Sequence, residues 1–151
     1  MEVTKEIWAK IHAQFKIHPL LLNLKLLADG YNLTYQTSLN TQNKVQIALF
    51  IDGTLNYSDY GFDEDEDNKF LSTEKGKKFG RKRFIKRYSI KDTAYLKIRY
   101  GKKQVAEKLK EARIYHVPIF FTTKQIQKIL TETCTEIQIH PDFIDYFLKY
   151  Y

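Results

Sequence analysis

The chain has 151 residues, with 25 lysines and arginines against 18 aspartates and glutamates, and a formal net charge of +7. This length fits one hydrophobic core, so we expect a single domain over residues 1–151. A hydrophobic fraction of 43% with 15% aromatic residues excludes a disordered chain. The single cysteine excludes a disulfide framework and any metal site built from several thiolates.

The sequence favours a cytoplasmic protein without a membrane anchor. The first residues lack the basic segment and apolar run of a secretory signal. The longest apolar stretch, residues 19–28, also carries Asn23 and Lys25, and it is much shorter than the roughly 20 apolar residues of a membrane-spanning helix. The lone Cys134 is typical of a reducing compartment.

Two helices are predicted near the N-terminus. Apolar residues recur every four positions at Val3, Ile7, Ile11 and Phe15, which indicates an amphipathic first helix. Pro19 is suited to the first turn of a second helix, and Asp29-Gly30 is suited to its end. Because the leucines between them are apolar nearly all round, we expect that second helix to be mostly buried.

The next segment has the alternation of a β-hairpin. Apolar and polar residues alternate over 31–39 and again over 45–51, on either side of the polar loop 40–43. A period of two places one set of side chains on one face, so the pattern predicts an antiparallel hairpin with one buried face.

The second half combines a charged segment, at about 56–91, with short elements of both kinds. The best local helix in the charged segment covers residues 80–88. Further along, the pattern predicts a strand over 94–100 and then a helix with the apolar stripe Val105, Leu109 and Ala112. A strand-like run over 114–121 follows and is interrupted at Pro118. The last predicted elements are a helix after the capping pair Thr122 and Gln125, a strand over 135–139 and a C-terminal helix from Pro141. The prediction is an α+β fold with N-terminal helices, an antiparallel β-hairpin, then alternating strands and helices; a small parallel unit in the second half stays open.

Charge is strongly segregated along the chain. Residues 75–103 hold thirteen basic side chains and one acid, Asp92, which gives this segment +12 and leaves −5 for the rest. Aromatic residues are interleaved with the cations at Phe79, Phe84, Tyr88, Tyr95 and Tyr100. A block of like charge repels itself, so the pattern predicts an anionic partner or a solvated face.

The favoured interpretation is a non-enzymatic protein that binds nucleic acid or a nucleoprotein through residues 75–103. Lysine and arginine contact phosphates, and exposed rings stack on unpaired bases at about 1–3 kcal/mol per base. The sequence does not distinguish DNA from RNA. The candidate binding residues are Lys77, Lys78, Arg81, Lys82, Arg83, Phe84, Lys86, Arg87, Tyr88, Arg99, Lys102 and Lys103.

A second interpretation is a protein-binding modulator, such as a phage or mobile-element inhibitor of a host nucleic-acid-handling enzyme, in the manner of an anti-CRISPR protein. Its basic face would dock on an acidic host protein or on a guide RNA. A third, ranked last, is a metal-dependent nuclease in which Asp52, Glu74 and Glu107 converge.

An acidic run precedes the basic segment. It comprises Asp59, Asp63, Glu64, Asp65, Glu66 and Asp67, and it either shields the basic segment or forms a solvated loop. Asp63, Asp65, Asp67 and Glu74 have part of the spacing of a calcium loop, but Asn68 stands where the sharp turn requires glycine. We therefore expect no metal site here.

Residues 47–55 resemble the first motif of the haloacid-dehalogenase-type phosphatases, a hydrophobic strand that ends in Asp-x-Asp-Gly-Thr. The position of that family's nucleophilic aspartate is Phe50 here, and phenylalanine cannot act as a nucleophile. We expect no enzymatic activity and no cofactor.

Overall fold

The computed structural model describes residues 1–64 and 70–151 and shows an α+β fold. Its α-helices are α1 (Lys5–Ile17), α2 (Glu74–Phe79), α3 (Thr93–Tyr100), α4 (Val105–Lys110), α5 (Thr123–Thr133) and α6 (Ile144–Tyr150). Its strands are β1 (Asn23–Ala28), β2 (Tyr31–Leu39), β3 (Val45–Ile51), β4 (Arg81–Lys86), β5 (Ala112–Val117), β6 (Ile119–Phe120) and β7 (Ile137–Ile139).

Five strands form the main sheet, in the order β6-β3-β2-β1-β7, and every neighbouring pair is antiparallel. The predicted hairpin is confirmed as β2 and β3, with Tyr35 opposite Leu49. In its loop, the Asn40 carboxamide oxygen accepts hydrogen bonds from two backbone N–H groups, at 2.8 and 3.0 Å. Such an asparagine turn orients the two strands for pairing.

The predicted second helix is wrong. Residues Pro19–Leu21 form a single 3₁₀ turn, and the rest of the leucine-rich segment is β1. The burial of Leu24, Leu26 and Ala28 has a period of two, with Lys25 exposed between them. β1 is hydrogen-bonded on both sides, to β2 across the Asp29-Gly30 turn and to β7, so strand pairing overrides the helical propensity of its leucines.

One face of the main sheet carries the core. Its fully buried side chains include Leu24, Leu26, Leu33, Tyr35, Ile47, Leu49, Phe120 and Ile139. Four helical segments contribute to the same cluster: Trp8 and Ile11 from α1, Phe79 from α2, Ile126, Ile129 and Leu130 from α5, and Phe143 and Phe147 from the C-terminal segment. The structure thus confirms three predicted helices: the first helix as α1, the helix after Thr122 as α5, and the C-terminal helix as α6. Thr122 caps α5 by accepting a hydrogen bond from the Gln125 N–H at 3.3 Å.

A polar cross-link joins three parts of this body at Asp29, the residue after β1. Its carboxylate accepts hydrogen bonds from the Thr135 hydroxyl at 2.9 Å and from the Glu136 N–H at 2.9 Å. It also forms an ion pair with Lys78, with Nζ 2.7 Å away. The hydrogen bond from Lys78, followed by that from the Glu136 backbone, holds the pKa of Asp29 well below its usual range.

Two further predictions in the charged half are wrong. Residues 80–88 contain β4 rather than a helix, and residues 94–100 form α3 rather than a strand. β4 pairs with β5, some thirty positions downstream, from Arg81 opposite Val117 to Lys86 opposite Ala112. A Ser89–Asp92 capping box begins the 3₁₀ turn Ile90–Asp92 that leads into α3, and α3 is ended by Gly101, whose φ is +84°.

The remaining short elements follow the sequence pattern. β5 and β6 are separated at Pro118, as predicted, because proline cannot donate to the ladder. α4 begins at Val105 but ends before Ala112, which starts β5. All the named strand pairs are antiparallel, so no parallel unit forms among the described strands. Within residues 1–64 and 70–151, no helix has the length and apolar character needed to cross a bilayer.

Candidate nucleic-acid interface

Residues 81–117 form an arm built on a two-stranded ribbon, and we call them the basic arm. β4 and β5 pair along the ribbon, and α3 and α4 lie in the connection between them. The Arg87 N–H donates to the Glu111 carbonyl at 3.1 Å, just beyond the last ladder pair, Lys86 and Ala112. The two helices therefore lie at this end of the ribbon, and α2 precedes its other end. Leu96 and Val105 are buried there, outside the main core cluster.

The basic arm concentrates the positive charge of the protein. It holds thirteen lysines and arginines against three acids, a formal charge of +10, so the rest of the chain carries −3. Eleven of the thirteen cations are exposed. Two of its acids are already engaged: Asp92 accepts the Ser89 N–H at 2.7 Å, and Glu111 pairs with Lys108 at 2.9 Å. Most of this charge is therefore presented to solvent.

Strand alternation sorts the ribbon's side chains into two faces. Residues directly opposite each other share a face, so Arg83 lies with Tyr115 on one side and Phe84 with Ile114 on the other. Lys82 and Lys86 flank Phe84 on its own face. Phe84 is 68% exposed, so this face presents an aromatic residue between two cations.

Most of the predicted binding residues come together on the basic arm. Lys82, Arg83, Phe84, Lys86 and Arg87 follow β4 to its end, and all are exposed. Three more of the predicted cations, Arg99, Lys102 and Lys103, are exposed in residues 90–110, which contain α3 and α4 and which we call the helical tip. The arm thus offers both a strand and a helical surface to a partner.

Lys77 and Lys78 lie elsewhere, in α2 on the body of the protein. Lys78 is the partner of Asp29 in the cross-link described above. A cation that is already paired gains less from a phosphate, because it first has to give up its carboxylate. Lys78 therefore has a structural role, and Lys77 lies beside the basic arm rather than on it.

Arg81 is an anchor for the ribbon. Its Nε donates to the Ile119 carbonyl of β6 at 2.7 Å, and its guanidinium lies 4.9 Å from the centre of the Phe121 ring. Burial, and then the charge of Arg83, lower the pKa of Arg81. These contacts connect the arm to the main sheet, so Arg81 is less available to a ligand than the exposed arginines.

Tyr88 is also held within the protein. Its side chain is half-buried, and the Arg87 guanidinium lies 5.7 Å from the centre of its ring. The hydrogen bond with the Tyr100 hydroxyl raises the pKa of Tyr88. Of the two rings considered for stacking on a base, Phe84 is therefore the accessible one.

The sequence window ended before three further cations of the basic arm: Lys108 and Lys110 of α4, and Arg113 of the return strand β5. Lys110 and Arg113 are exposed, whereas Lys108 pairs with Glu111, and the Arg113 guanidinium also donates to the Glu64 carbonyl at 3.0 Å. Arg113 lies opposite Ile85 in the ladder, so its place follows once β4 is paired with β5. The exposed aliphatic residues of the tip, Ile90 and Ile98, were also missed, and for Ile98 the reason is that residues 94–100 were predicted to be a strand.

Asp63 of the acidic run lies against the basic arm. Phe62 bridges to Tyr115 on the side of β5 away from β4, and the Asp63 N–H donates to the Ile114 carbonyl at 3.0 Å. The Asp63 carboxylate contacts Nε2 of the buried His116. Residues 65–67 of the run, and with them the partial calcium pattern, lie outside the described residues.

No metal-binding constellation is found in the described part of the chain. Asp52 lies in the turn after β3, Glu74 begins α2, and Glu107 lies in α4. Across residues 1–64 and 70–151, no three of the His, Cys, Asp and Glu side chains are grouped to hold a metal ion. The nuclease hypothesis thus has no assembled carboxylate site among these residues.

A polar cluster between α1 and α5 is the other notable arrangement. His12 contacts the Thr123 hydroxyl through Nδ1 and the Gln127 side-chain oxygen through Nε2, both at 2.6 Å. It borders an open cleft of about 420 Å³ that Lys16 and Lys124 also line. Thr123 is only 1% exposed, so a substrate does not reach its hydroxyl, and the cluster is best explained as a link between two helices.

Comparisons of the chain with protein-family models, with curated proteins and with solved structures found no match.

Proposed function

We propose that this protein is a non-enzymatic, cytoplasmic protein that binds nucleic acid, alone or within a nucleoprotein, through its basic arm. The observation that carries the proposal is the concentration of +10 formal charge in residues 81–117, with eleven cations exposed, beside a body of opposite sign. A polyanion is the ligand that gains most from such a surface, because each phosphate contact releases condensed counterions.

The ribbon and the tip make different contributions to this binding. Arg83, Arg87 and Arg99 offer planar guanidinium groups that pair with two phosphate oxygens at once, whereas the lysines act as point charges. With about six phosphate contacts, the logarithm of the binding constant would fall with the logarithm of salt concentration with a slope of about −5. Binding of this kind is largely independent of sequence.

Phe84 supplies the one contact in this set that distinguishes unpaired bases. Its exposed ring lies between Lys82 and Lys86, so a strand whose phosphates pair with the lysines would bring a base over the ring. Stacking of this type contributes about 1–3 kcal/mol per base. We therefore expect Phe84→Ala to weaken binding to single strands more than binding to duplexes.

The protein-binding alternative uses the same surface, since an acidic protein is attracted by the same cations. The two functions differ in their ligand: a modulator of a host enzyme forms a stoichiometric complex with that protein and has little affinity for free oligonucleotides. Binding to free nucleic acid therefore separates them.

The test is fluorescence anisotropy with single- and double-stranded DNA and RNA of about 20 nucleotides, at about 50 mM and about 200 mM salt. The arm variant carries Arg83→Glu and Arg87→Glu, and leaves the anchoring Arg81 intact. The matched control carries Lys5→Glu and Lys10→Glu, which reverse two exposed charges of α1 on the body.

We expect wild-type protein and the control to bind with similar affinity, and the arm variant to bind at least tenfold more weakly, which is about 1.4 kcal/mol. Equal losses of affinity in the arm variant and the control would show that net charge alone explains the effect, and would contradict binding through the basic arm. Absence of binding by the wild-type protein would contradict the proposal and direct the search to a protein partner.

A further inference from the structure

The helical tip of the basic arm exposes aliphatic side chains among its cations. Ile98 is 88% exposed and Ile90 is 85% exposed, and Tyr95 beside them is 54% exposed. Their neighbour Leu96 is fully buried, so α3 uses one side for packing and presents the other to solvent. An isoleucine this exposed makes almost no contact within the protein, so packing of the fold does not account for it.

Ile98 is flanked by cations on both sides. Successive residues of an α-helix are rotated by about 100°, which places Lys97 on one side of Ile98 and Arg99 on the other. Both cations are exposed. The tip therefore presents a protruding apolar side chain between two positive charges.

This arrangement matches the minor groove of duplex DNA. The groove is about 6 Å wide and is bordered by a phosphate backbone on each side, so a cation on each side of the apolar residue meets a phosphate. Proteins that enter this groove insert isoleucine, leucine or phenylalanine between base pairs and partly unstack them. A membrane surface requires a wider apolar face than the short α3 provides.

We infer that Ile98 acts as a wedge that enters the minor groove of double-stranded DNA and unstacks a base step, while Lys97 and Arg99 hold the two backbones. This inference rests on the proposed nucleic-acid binding, and it further specifies that the ligand is double-stranded DNA and that the protein unstacks one of its base steps. Flexible pyrimidine–purine steps such as TpA are the sites at which unstacking costs least.

The test uses a duplex of about 20 base pairs with 2-aminopurine, whose fluorescence rises on unstacking, placed at a central TpA step. Affinity is measured in parallel by anisotropy. Ile98→Ser removes the wedge, and Ile17→Ser is the matched control, since Ile17 is 67% exposed at the end of α1 on the body.

We expect saturating wild-type protein and the Ile17→Ser control to raise the fluorescence about twofold or more, and Ile98→Ser to bind within about tenfold of wild type without a rise. Duplex binding without a rise, an equal rise with Ile98→Ser, or binding to single strands alone would overturn the wedge and leave the proposed function intact. Absence of binding to every nucleic acid would overturn both. Binding to anionic phosphatidylglycerol vesicles in place of DNA, lost with Ile98→Ser, would instead assign the tip to a membrane surface.

Discussion

The helical tip of the basic arm depends on a very small core of its own, which makes it separable from the rest of the protein. Leu96 is fully buried and Val105 is 9% exposed, and neither belongs to the main cluster. Replacing a buried leucine by alanine costs about 2–5 kcal/mol. Helices as short as α3 and α4 are marginal without tertiary packing. We therefore expect Leu96→Ala to unfold residues 90–110 locally while the main sheet stays folded.

Hydrogen exchange followed by mass spectrometry distinguishes local from global unfolding. In Leu96→Ala, peptides from residues 90–110 should exchange at the rate of an unstructured chain, whereas peptides from α5 and β2 keep their wild-type protection. A uniform increase in exchange across the protein would refute the reasoning, because the tip would then fold cooperatively with the main sheet. Unchanged protection in α3 and α4 would refute it as well.

Three further substitutions test the contacts that support the arm and the body. Asp29→Asn should lower the free energy of unfolding by about 2–3 kcal/mol at pH 7, because charge-assisted hydrogen bonds are lost. Because the pKa of Asp29 is depressed in the folded state, this stabilisation is present above about pH 4 and is lost progressively as the pH falls below that value. Urea unfolding should therefore show that the difference in unfolding free energy between wild type and Asp29→Asn is smaller at about pH 3. A difference that does not change with pH would contradict this role of Asp29. Gly76→Ala should destabilise by about 1–3 kcal/mol in the same assay, because its Cβ would lie 1.9 Å from the Asp59 carbonyl oxygen; an unchanged urea midpoint would contradict this close contact. Arg81→Gln should accelerate hydrogen exchange in β4, whereas Arg83→Gln, on the same face but exposed, should leave it unchanged, and equal behaviour of the two variants would remove the anchoring role of Arg81.

The elements that were predicted correctly from the sequence are those specified by local patterns. The hairpin of β2 and β3 has strict alternation around a polar loop, and α5 has both a cap and a sustained helical stripe. β1 was mistaken for a helix because its leucines are apolar at nearly every position. Asp29 and Gly30, which were interpreted as the end of a helix, form the two-residue turn of a hairpin in which β1 pairs with β2. On its other side β1 pairs with β7, which lies more than a hundred residues later and leaves no local signal in the sequence.

The candidate site was predicted in its charge but not in its shape. The count of cations along the chain located residues 75–103, which include much of the basic arm, because an excess of charge can be counted without knowing the secondary structure. Which cations are available depends on tertiary contacts: Lys78 is paired with Asp29 and Arg81 is bonded to the backbone of β6, whereas Arg83 is exposed. The exposure of Ile98 likewise follows from the helical conformation of residues 93–100, which were predicted to be a strand.

Lysine footprinting tests most directly whether the basic arm is the binding surface. The protein is acetylated briefly, with and without a saturating oligonucleotide, and the modified lysines are identified by mass spectrometry. We expect protection of Lys82, Lys86, Lys97, Lys102 and Lys103, which are exposed on the arm, and unchanged reactivity of the exposed lysines of α1. Protection of the α1 lysines instead, or no protection under conditions in which the oligonucleotide is bound, would contradict the account.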